Sequence, residues 1–305
     1  MKKILFFGVI LFGGMLSGQT IKKITKLPDI EKDSVSLWNK GALLNLGFSQ
    51  VSLSNWAAGG NSSVSGNAIV NLHAKYKKGI QTWDNTLNLG YGLLKQNTDE
   101  IQKTDDNIEI TSKYGRAVTQ HWSYAVLVNF NSQFTAGYDY ANGNSKISAF
   151  LAPGYLHGAL GMDYKPTSFL SLFLSPITSK TTIVTDSKLS SLGAFGVDPG
   201  DQFRSEFGGF FRANFIKEIM KNVKLTSTLA LFSNYMDSPE NVDVNWEFLV
   251  LMKVNKFITV SINTKLIYDD DINIVKDSDG DGINEINGPR IQFKEILSLG
   301  FSYKL

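Results

Sequence analysis

A short acidic run near the C-terminus carries the residues best suited to hold a cation. The stretch DSDGDGINE, residues 277–285, places carboxylates at alternate positions between glycines that permit a sharp turn. Carboxylate oxygens at this spacing suit a hard cation such as calcium. The run departs from the full EF-hand loop because Gly288 stands at the twelfth position, where a bidentate glutamate belongs. We therefore expect either a calcium-ordered loop, held by Asp277, Asp279, Asp281 and Glu285, or a plain solvated acidic turn.

The three histidines give no sign of hydrolytic catalysis. A serine hydrolase needs a histidine beside a serine and an orienting carboxylate or amide. None of His73, His121 and His157 lies in a nucleophile motif such as G-x-S-x-G. The sequence contains no cysteine, which excludes thiol catalysis, disulfides and cysteine-based metal sites. We therefore predict that the protein is not an enzyme.

The N-terminus has the features of a secretory signal peptide. Lys2 and Lys3 precede an apolar run at residues 4–16, and the small residues Ser17 and Gly18 follow it. The run is shorter than the ~20 residues of a transmembrane helix. We predict a signal peptide at residues 1–18 and a polar periplasmic segment at residues 19–37. The whole sequence has 30 basic and 28 acidic residues, so removal of Lys2 and Lys3 with the signal peptide leaves a formal net charge of zero. A chain without net positive charge gives no reason to expect a nucleic-acid partner.

Strict alternation of apolar and polar residues recurs along the rest of the chain, and it predicts strands with one apolar face. Between residues 241 and 255, for example, Val244 and Trp246 alternate with Asn245 and Glu247. Runs of ten or more residues match the ~9–11 residues with which a tilted strand crosses a bilayer. Aromatic residues lie near strand ends, where the girdles of a membrane barrel belong. These are Trp83, Tyr91, Trp122, Tyr138, Trp246, Tyr268 and Tyr303.

The alternating runs number about twelve. They lie near residues 40–51, 65–77, 80–94, 107–116, 122–136, 148–164, 168–178, 202–216, 222–235, 241–255, 257–269 and 290–305. Long connections alternate with short ones, as expected for long outer loops and tight periplasmic turns. We therefore predict an all-β fold, a single closed antiparallel transmembrane β-barrel at residues 38–305 in contact with outer-membrane lipid, rather than a soluble sandwich or lipocalin-like barrel.

The polar faces of these strands predict a charged lumen. Pro153 and Pro176 each remove a donor from the strand ladder, so we expect bulges there and leave the facing of residues 155–164 and 169–175 unassigned. Loop 179–201 is less polar than a free loop should be, and we expect it to fold into the barrel mouth. The residues assigned to the lumen are Lys75, Glu109, Lys113, Arg204, Glu206, Arg212, Asp243, Glu247, Lys253, Lys265 and Lys294.

Several phrases of the sequence resemble a known family. They are SLSNWAAGGN at 52–61, LGMDYKPTSFLSLFLSPITSK at 160–180, LGAFGVDPG at 192–200, FSNYMDSPENVDVNWE at 232–247 and IYDDDI at 267–272. Together they resemble the bacterial outer-membrane barrel family known as domain of unknown function 3078, over most of the mature chain. The resemblance implies a surface-exposed membrane barrel and provides no catalytic residue.

Three functions are compatible with such a barrel. A charged lumen suits a narrow channel or uptake pore for small polar solutes, which we favour. The alternative is a plugged structural or assembly barrel that acts through its loops and its periplasmic segment. Twelve strands leave both open, because side chains fill an eight-stranded lumen whereas sixteen-stranded porins conduct. An outer-membrane enzyme is the least favoured of the three functions. The sequence indicates neither a particular solute nor a protein partner.

Overall fold

The computed structural model describes residues 36–53, 61–97, 100–140, 144–276 and 285–304. The predicted signal peptide at 1–18 lies outside the described residues, as does the predicted periplasmic segment apart from its last two positions. In the described ranges, no helix has the length and the hydrophobicity of a membrane-spanning helix.

Twelve of the described strands close into one antiparallel barrel, which confirms the predicted fold class. Around the barrel the order is β1-β16-β13-β12-β11-β10-β9-β8-β5-β4-β3-β2, so strands that follow one another in the barrel part of the chain are paired and β1 closes on β16. The bounds are β1 Trp38–Val51, β2 Ser63–Lys78, β3 Gln81–Gln96, β4 Gln102–Ala117, β5 Trp122–Ser132, β8 Gly154–Thr167, β9 Leu170–Ile183, β10 Phe203–Met220, β11 Val223–Asn234, β12 Val242–Lys253, β13 Ile258–Tyr268 and β16 Gln292–Lys304.

The connections differ between the two ends of the barrel. At one end, here the short-turn end, strands are joined at residues 79–80, 118–121, 168–169, 221–222 and 254–257. At the opposite, long-loop end, two loops carry small hairpins, formed by β6 Gly137–Asp139 with β7 Ser145–Ser148 and by β14 Asn273–Lys276 with β15 Glu285–Pro289. A third long loop carries the helix α1 Ser187–Ser191 and a 3₁₀ turn, Ala194–Gly196. This asymmetry matches the alternation of long and short connections in the sequence.

Strand β4 is longer than the sequence predicts. The sequence analysis begins this strand near residue 107, yet β4 begins at Gln102. Its carboxylates can enter the strand because they have partners. Asp106 accepts hydrogen bonds from the backbone N–H groups of Phe134 and Thr135 at 2.7 and 2.9 Å and from Lys103 Nζ at 2.9 Å. The loop after β3 is thereby reduced to residues 97–101.

The outer surface of the barrel is apolar. Along β16, Phe293, Leu297, Leu299 and Phe301 are each more than half exposed, with Leu297 at 70%. The polar residue between two of them, Ser298, is only 7% exposed. This is the reverse of a soluble barrel, in which the apolar face points inward.

A belt of aromatic side chains lies at the short-turn end, on β1 to β5 and β8. The register pairs Trp38 with Tyr76, Tyr76 with Trp83 and Trp83 with Tyr114, so one row crosses β1 to β4. The ring centroids of Trp38 and Tyr76 are 5.2 Å apart. On the next strands the rings of Trp122 and Tyr164 are 4.6 Å apart. Tryptophan and tyrosine rings, apolar with one polar tip, suit the level of lipid headgroups.

Two glycines permit the seam at which the barrel closes. Strands β1 and β16 pair over only five positions, from Leu43 with Lys304 to Gly47 with Gly300. A Cβ atom on Gly300 would overlap the backbone carbonyl of Leu46 and would lie 2.9 Å from the Cα atom of Gly47. Backbone atoms cannot move away as a flexible side chain can, so this close approach requires glycine.

We predict that Gly300→Ala weakens barrel closure by about 1–3 kcal/mol, the usual cost of an overpacked site. The measurement is the unfolding free energy of the refolded protein in lipid vesicles, together with its heat-modifiable gel mobility. Gly158→Ala on β8 is the matched control, because a Cβ atom there meets nothing within 4 Å. Equal losses in the two variants would contradict this account of the seam.

Candidate functional site

A bulge in β9 turns a lysine into the lumen. The register of β9 shifts by one residue near Pro176 against both neighbouring strands. The shift lies between Leu160 and Met162 on β8 and between Gly208 and Phe210 on β10. Before the bulge Phe173 and Ser175 are buried, and after it Thr178 and Lys180 are. Inward positions therefore change from odd to even numbers. The sequence correctly predicts irregularity at Pro176 but places Lys180 in a loop, whereas it lies on β9.

Lys180 lies among three carboxylates at the long-loop end. Its Nζ atom is 2.6 Å from Asp243 Oδ2, 3.3 Å from Glu206 Oε2 and 3.4 Å from Asp269 Oδ2. These groups come from β9, β10, β12 and the residue after β13. Because the sheet is closed, four segments with different sequence positions can direct charged groups to one point.

Arg204 extends this cluster toward the loops. Its guanidinium is 2.9 Å from Asp271 and 3.5 Å from Glu206, and it donates a hydrogen bond to the carbonyl of Gly196 at 3.1 Å. The mouth cluster, defined here as Lys180, Arg204, Glu206, Asp243, Asp269 and Asp271, thus contains two cations and four carboxylates.

One ion pair crosses the middle of the lumen. Arg212 Nη2 on β10 donates to Glu109 Oε1 on β4 at 2.8 Å, and three strands, β9, β8 and β5, separate these two along the shorter way round the barrel. Asn88 donates to the other carboxylate oxygen at 2.8 Å, and Asn129 donates to Oε1 at 3.3 Å. Glu109 is therefore fully hydrogen-bonded by side chains, as a buried carboxylate must be.

Two further ion pairs lie in the lumen. Lys294 on β16 is 2.5 Å from Asp105 on β4, and this pair also spans the lumen, since β1, β2 and β3 lie between. Lys265 and Glu247, on the adjacent strands β13 and β12, are 2.6 Å apart. Each of these cations has one carboxylate, in contrast to Lys180.

A separate network lies toward the short-turn end. Lys113 is 2.7 Å from Asp163, and Lys165 is 3.4 Å from Asp163 and 3.1 Å from Asp84. Ser171 donates to Asp163 at 2.7 Å and accepts from Lys113 at 2.9 Å. Its two cations and two carboxylates balance in formal charge.

Two adjoining cavities occupy the lumen. The larger, about 300 Å³, is lined among others by Glu109, Arg212, Lys180 and Asp243. The smaller, about 130 Å³, is lined among others by Asn88, Asp105 and Lys294. Asn107, Thr228, Glu247 and Lys265 line both cavities, so the two meet at these residues.

An apolar cluster fills part of the interior on the β5 to β11 side. Leu127, Phe173, Phe210 and Phe232 are buried there, with Phe173 fully inaccessible. The sequence analysis does not identify this apolar wall. Only Phe173 of these four lies in the segments whose facing is left unassigned, and on β5, β10 and β11 no apolar residue is assigned to the lumen. Aromatic and charged side chains therefore share this side of the lumen, and Lys180 Nζ lies 5.3 Å from the ring centroid of Phe232.

The structure places the sequence-predicted lumen residues as follows. Glu109, Lys113, Arg204, Glu206, Arg212, Asp243, Glu247, Lys265 and Lys294 all take part in the ion pairs described above. Lys75 and Lys253 are exposed near the short-turn ends of β2 and β12. Sequence analysis does not identify Lys180, Asp105, Asp163, Asp269 or Asp271. The signal that could have indicated them is the occurrence of charged residues at or just beyond the ends of the predicted strands.

The predicted calcium loop cannot be placed. Asp277, Asp279 and Asp281 lie outside the described residues, and of Glu285 only the backbone, at the start of β15, is described. Among the residues that the structure describes, no group of three or more His, Asp or Glu side chains is arranged to hold a metal ion.

The histidines occupy three different environments. His73 Nε2 lies 3.2 Å from Asn39 Oδ1, and His121 Nδ1 lies 3.1 Å from the carbonyl of Lys165. His157 packs against the aromatic wall, with its ring centroid 5.7 Å from that of Phe210.

Loop 184–202 lies over the mouth of the larger cavity. Val184, Leu189 and Val197 are buried against Ala152, and Phe195 is one of the residues that line the cavity. Asp186 caps α1 by accepting from the backbone N–H groups of Lys188 and Leu189, each at 3.1 Å. It also forms an ion pair with Lys146 on β7, which ties the loop to the neighbouring hairpin.

We predict that acid loosens this loop. The hydrogen bond from Lys146, followed by that from the backbone of Leu189, lowers the pKa of Asp186 below its usual 3.8. A carboxyl with a lowered pKa contributes stability that is complete above its unfolded-state pKa and is lost as pH falls through the folded-state value. Protection of the Lys188 and Leu189 amides from hydrogen exchange, corrected for intrinsic rates, should therefore decrease below about pH 3.8.

The matched control is Asp186→Asn, which keeps an oxygen for the cap but cannot titrate. Its protection should be lower at neutral pH and should not change with pH in this range. Protection in the wild type that stays constant down to pH 2, or an identical pH profile in the variant, would contradict this role for Asp186.

Comparison with solved structures finds loosely similar barrels. A porin named NanC shares 10% identity over 86% of this chain and 100% of its own, with a TM-score of 0.37. An outer membrane channel from Pseudomonas putida F1 shares 10% identity over 90% of this chain and 100% of its own, with a TM-score of 0.38. The translocator domain of the autotransporter NalP from Neisseria meningitidis shares 10% over 90% of each chain, with a TM-score of 0.35. Similarity this low is compatible with very different functions.

No curated protein matches the chain. One family model does, and it is described as "Protein of unknown function (DUF3078)". The match covers residues 48–138, a shorter stretch than the sequence phrases led us to expect. Within that stretch, which contains the phrase SLSNWAAGGN at 52–61 and none of the other four, it confirms the resemblance to this family.

Proposed function

We propose that the protein is an outer-membrane β-barrel that conducts small polar solutes through a narrow lumen. The observation that carries the proposal is the distribution of polarity. Paired charges and two adjoining cavities lie inside the closed sheet, whereas large apolar side chains cover its outside. An apolar exterior is stable in contact with lipid. Closure of the sheet provides hydrogen-bond partners for the backbone polar groups, which lipid cannot provide.

The short-turn belt supports the membrane location. Trp38, Tyr76, Trp83 and Tyr114 form one row at a single level of the barrel, as interfacial girdles do. Both described chain ends lie at this end, since β1 starts and β16 finishes there. Short turns face the periplasm in bacterial barrels, so the long loops and the larger cavity would face outward.

The pair of Glu109 and Arg212 sets the width of the proposed pathway. A direct contact of 2.8 Å between strands that far apart divides the lumen at that level. Solute passage therefore requires either a route beside the pair, through the residues common to both cavities, or separation of the two side chains.

The same contact favours the second candidate function, a plugged barrel that acts through its loops. In that case the ion pairs serve only to fill the interior with satisfied polar groups, as side chains do in small barrels. Conductance distinguishes the two candidates, because a plug without solute passage gives none.

We predict discrete, low-conductance openings of the refolded protein in a planar bilayer. Replacing both partners, Glu109→Ser with Arg212→Ser, removes the pair without leaving a buried unpaired charge, and it should increase the unit conductance severalfold. The control is Lys217→Ser with Glu218→Ser, which likewise removes one cation and one carboxylate, but at exposed positions of the same strand, β10. It should conduct as the wild type does.

Silence of both the wild type and the Glu109/Arg212 double variant would refute conduction and support the plugged barrel. Folding is checked in each sample by heat-modifiable gel mobility. An increase of equal size in the control variant would show that the mid-lumen pair does not set the conductance.

A further inference from the structure

The larger cavity has an aromatic wall as well as charged groups. Four of its lining residues carry aromatic side chains and come from β8, β10, β11 and loop 184–202: Tyr155, Phe210, Phe232 and Phe195. Lys180 already places its ammonium 5.3 Å from the ring centroid of Phe232. The faces of these rings can therefore accept a cation in this chamber.

The charges of the chamber do not balance. Arg212 is matched by Glu109 and Lys265 by Glu247, one carboxylate for each cation. At the mouth cluster, by contrast, two cations face four carboxylates, a formal excess of two negative charges. The cluster members that line the cavity, Lys180, Asp243 and Asp269, account for one of these two charges. Asp243 and Asp269 of that cluster line the cavity directly. Excess negative charge in a partly buried site attracts a cation more strongly than the same charge in water.

Two buried polar atoms of the chamber also lack partners. Nδ1 of His157 and Oδ1 of Asn245 are inaccessible and have no hydrogen-bond partner within the described part of the chain. Both residues line the larger cavity. Buried polar atoms in folded proteins are almost always hydrogen-bonded, so these two residues leave unsatisfied hydrogen-bonding capacity in the wall of the chamber.

We infer that this chamber binds a small organic ammonium ion, with the charged group near Asp243 and Asp269 and the apolar body against the aromatic wall. The inference deepens the proposed function by naming the class of solute, and as a statement about conducted solutes it rests on that function. A volume of about 300 Å³ is at the lower limit of known ligand pockets. An inorganic cation would neutralise the carboxylates but would leave the aromatic wall without a role.

Calorimetric titration of the full-length refolded protein in detergent tests the inference independently of conduction. The probes are phenethylammonium, its neutral analogue 2-phenylethanol and its anionic analogue 3-phenylpropionate, with calcium chloride as an inorganic competitor. Phenethylammonium should bind at least about tenfold more tightly than either analogue, a difference that corresponds to one favourable charge interaction. Equal affinity for the three organic probes, or displacement of phenethylammonium by an equal concentration of calcium, would overturn the inference.

The matched variants locate the binding site. Asp243→Asn removes one of the excess charges while Lys180 keeps Glu206 and Asp269 as partners, so it should fold and weaken phenethylammonium binding about tenfold. Asp269→Asn is a second variant with the same expected effect. The control is Asp198→Asn, the same change at an exposed position of loop 184–202 that does not line the cavity, and it should leave the affinity unchanged.

The outcomes also separate this inference from the proposed function. Selective phenethylammonium binding by a protein that never conducts would retain the chamber and refute the channel. Conduction without selective binding would retain the channel and overturn the inference. Equal weakening by Asp243→Asn and Asp198→Asn would likewise overturn it.

Discussion

The structure depends on one constraint: charged side chains inside a closed barrel must find partners within the barrel. Alternation along a strand fixes the direction of each side chain, so a strand that presents leucine and phenylalanine outward presents its lysines and glutamates inward. A lumen as narrow as this one cannot hydrate them all separately. Glu109 therefore reaches across to Arg212, and Asp105 reaches across to Lys294. The ion pairs are a consequence of the fold, and the proposed pathway is the space that they leave.

A single irregularity distinguishes the two ends of this lumen. Without the bulge near Pro176, Lys180 would face the outside, where an ammonium group in contact with lipid is costly. The bulge turns it inward among Glu206, Asp243 and Asp269. The short-turn end, in contrast, has Lys113 and Lys165 matched by Asp84 and Asp163. The excess negative charge is thus confined to the mouth beneath loop 184–202.

The barrel could be predicted from the sequence because period-two alternation is a local signal, and clean strands such as β12 and β13 carry it without interruption. The number of strands and the antiparallel closure follow from it. The site was predictable only in part. The alternation within each strand assigned both Glu109 and Arg212 to the lumen. Their contact, however, depends on the diameter of the barrel and the stagger of its strands, which no single strand encodes. Lys180 was missed because the predicted strand ends at residue 178, and Asp105 because the predicted strand begins near residue 107, whereas β9 and β4 both extend beyond these limits.

The central claim is that β10 has an apolar face toward lipid and a polar face toward a water-accessible lumen. Because the chain contains no cysteine, single cysteines can be introduced along this strand and on its partner β11, and their labelling by a water-soluble maleimide can be measured in lipid vesicles. Asn214→Cys and Thr228→Cys should be labelled. Phe211→Cys and Phe215→Cys should resist the reagent, and a probe attached to them before insertion should be quenched by brominated lipid. Labelling of all four positions alike, or of the phenylalanine positions alone, would contradict the account.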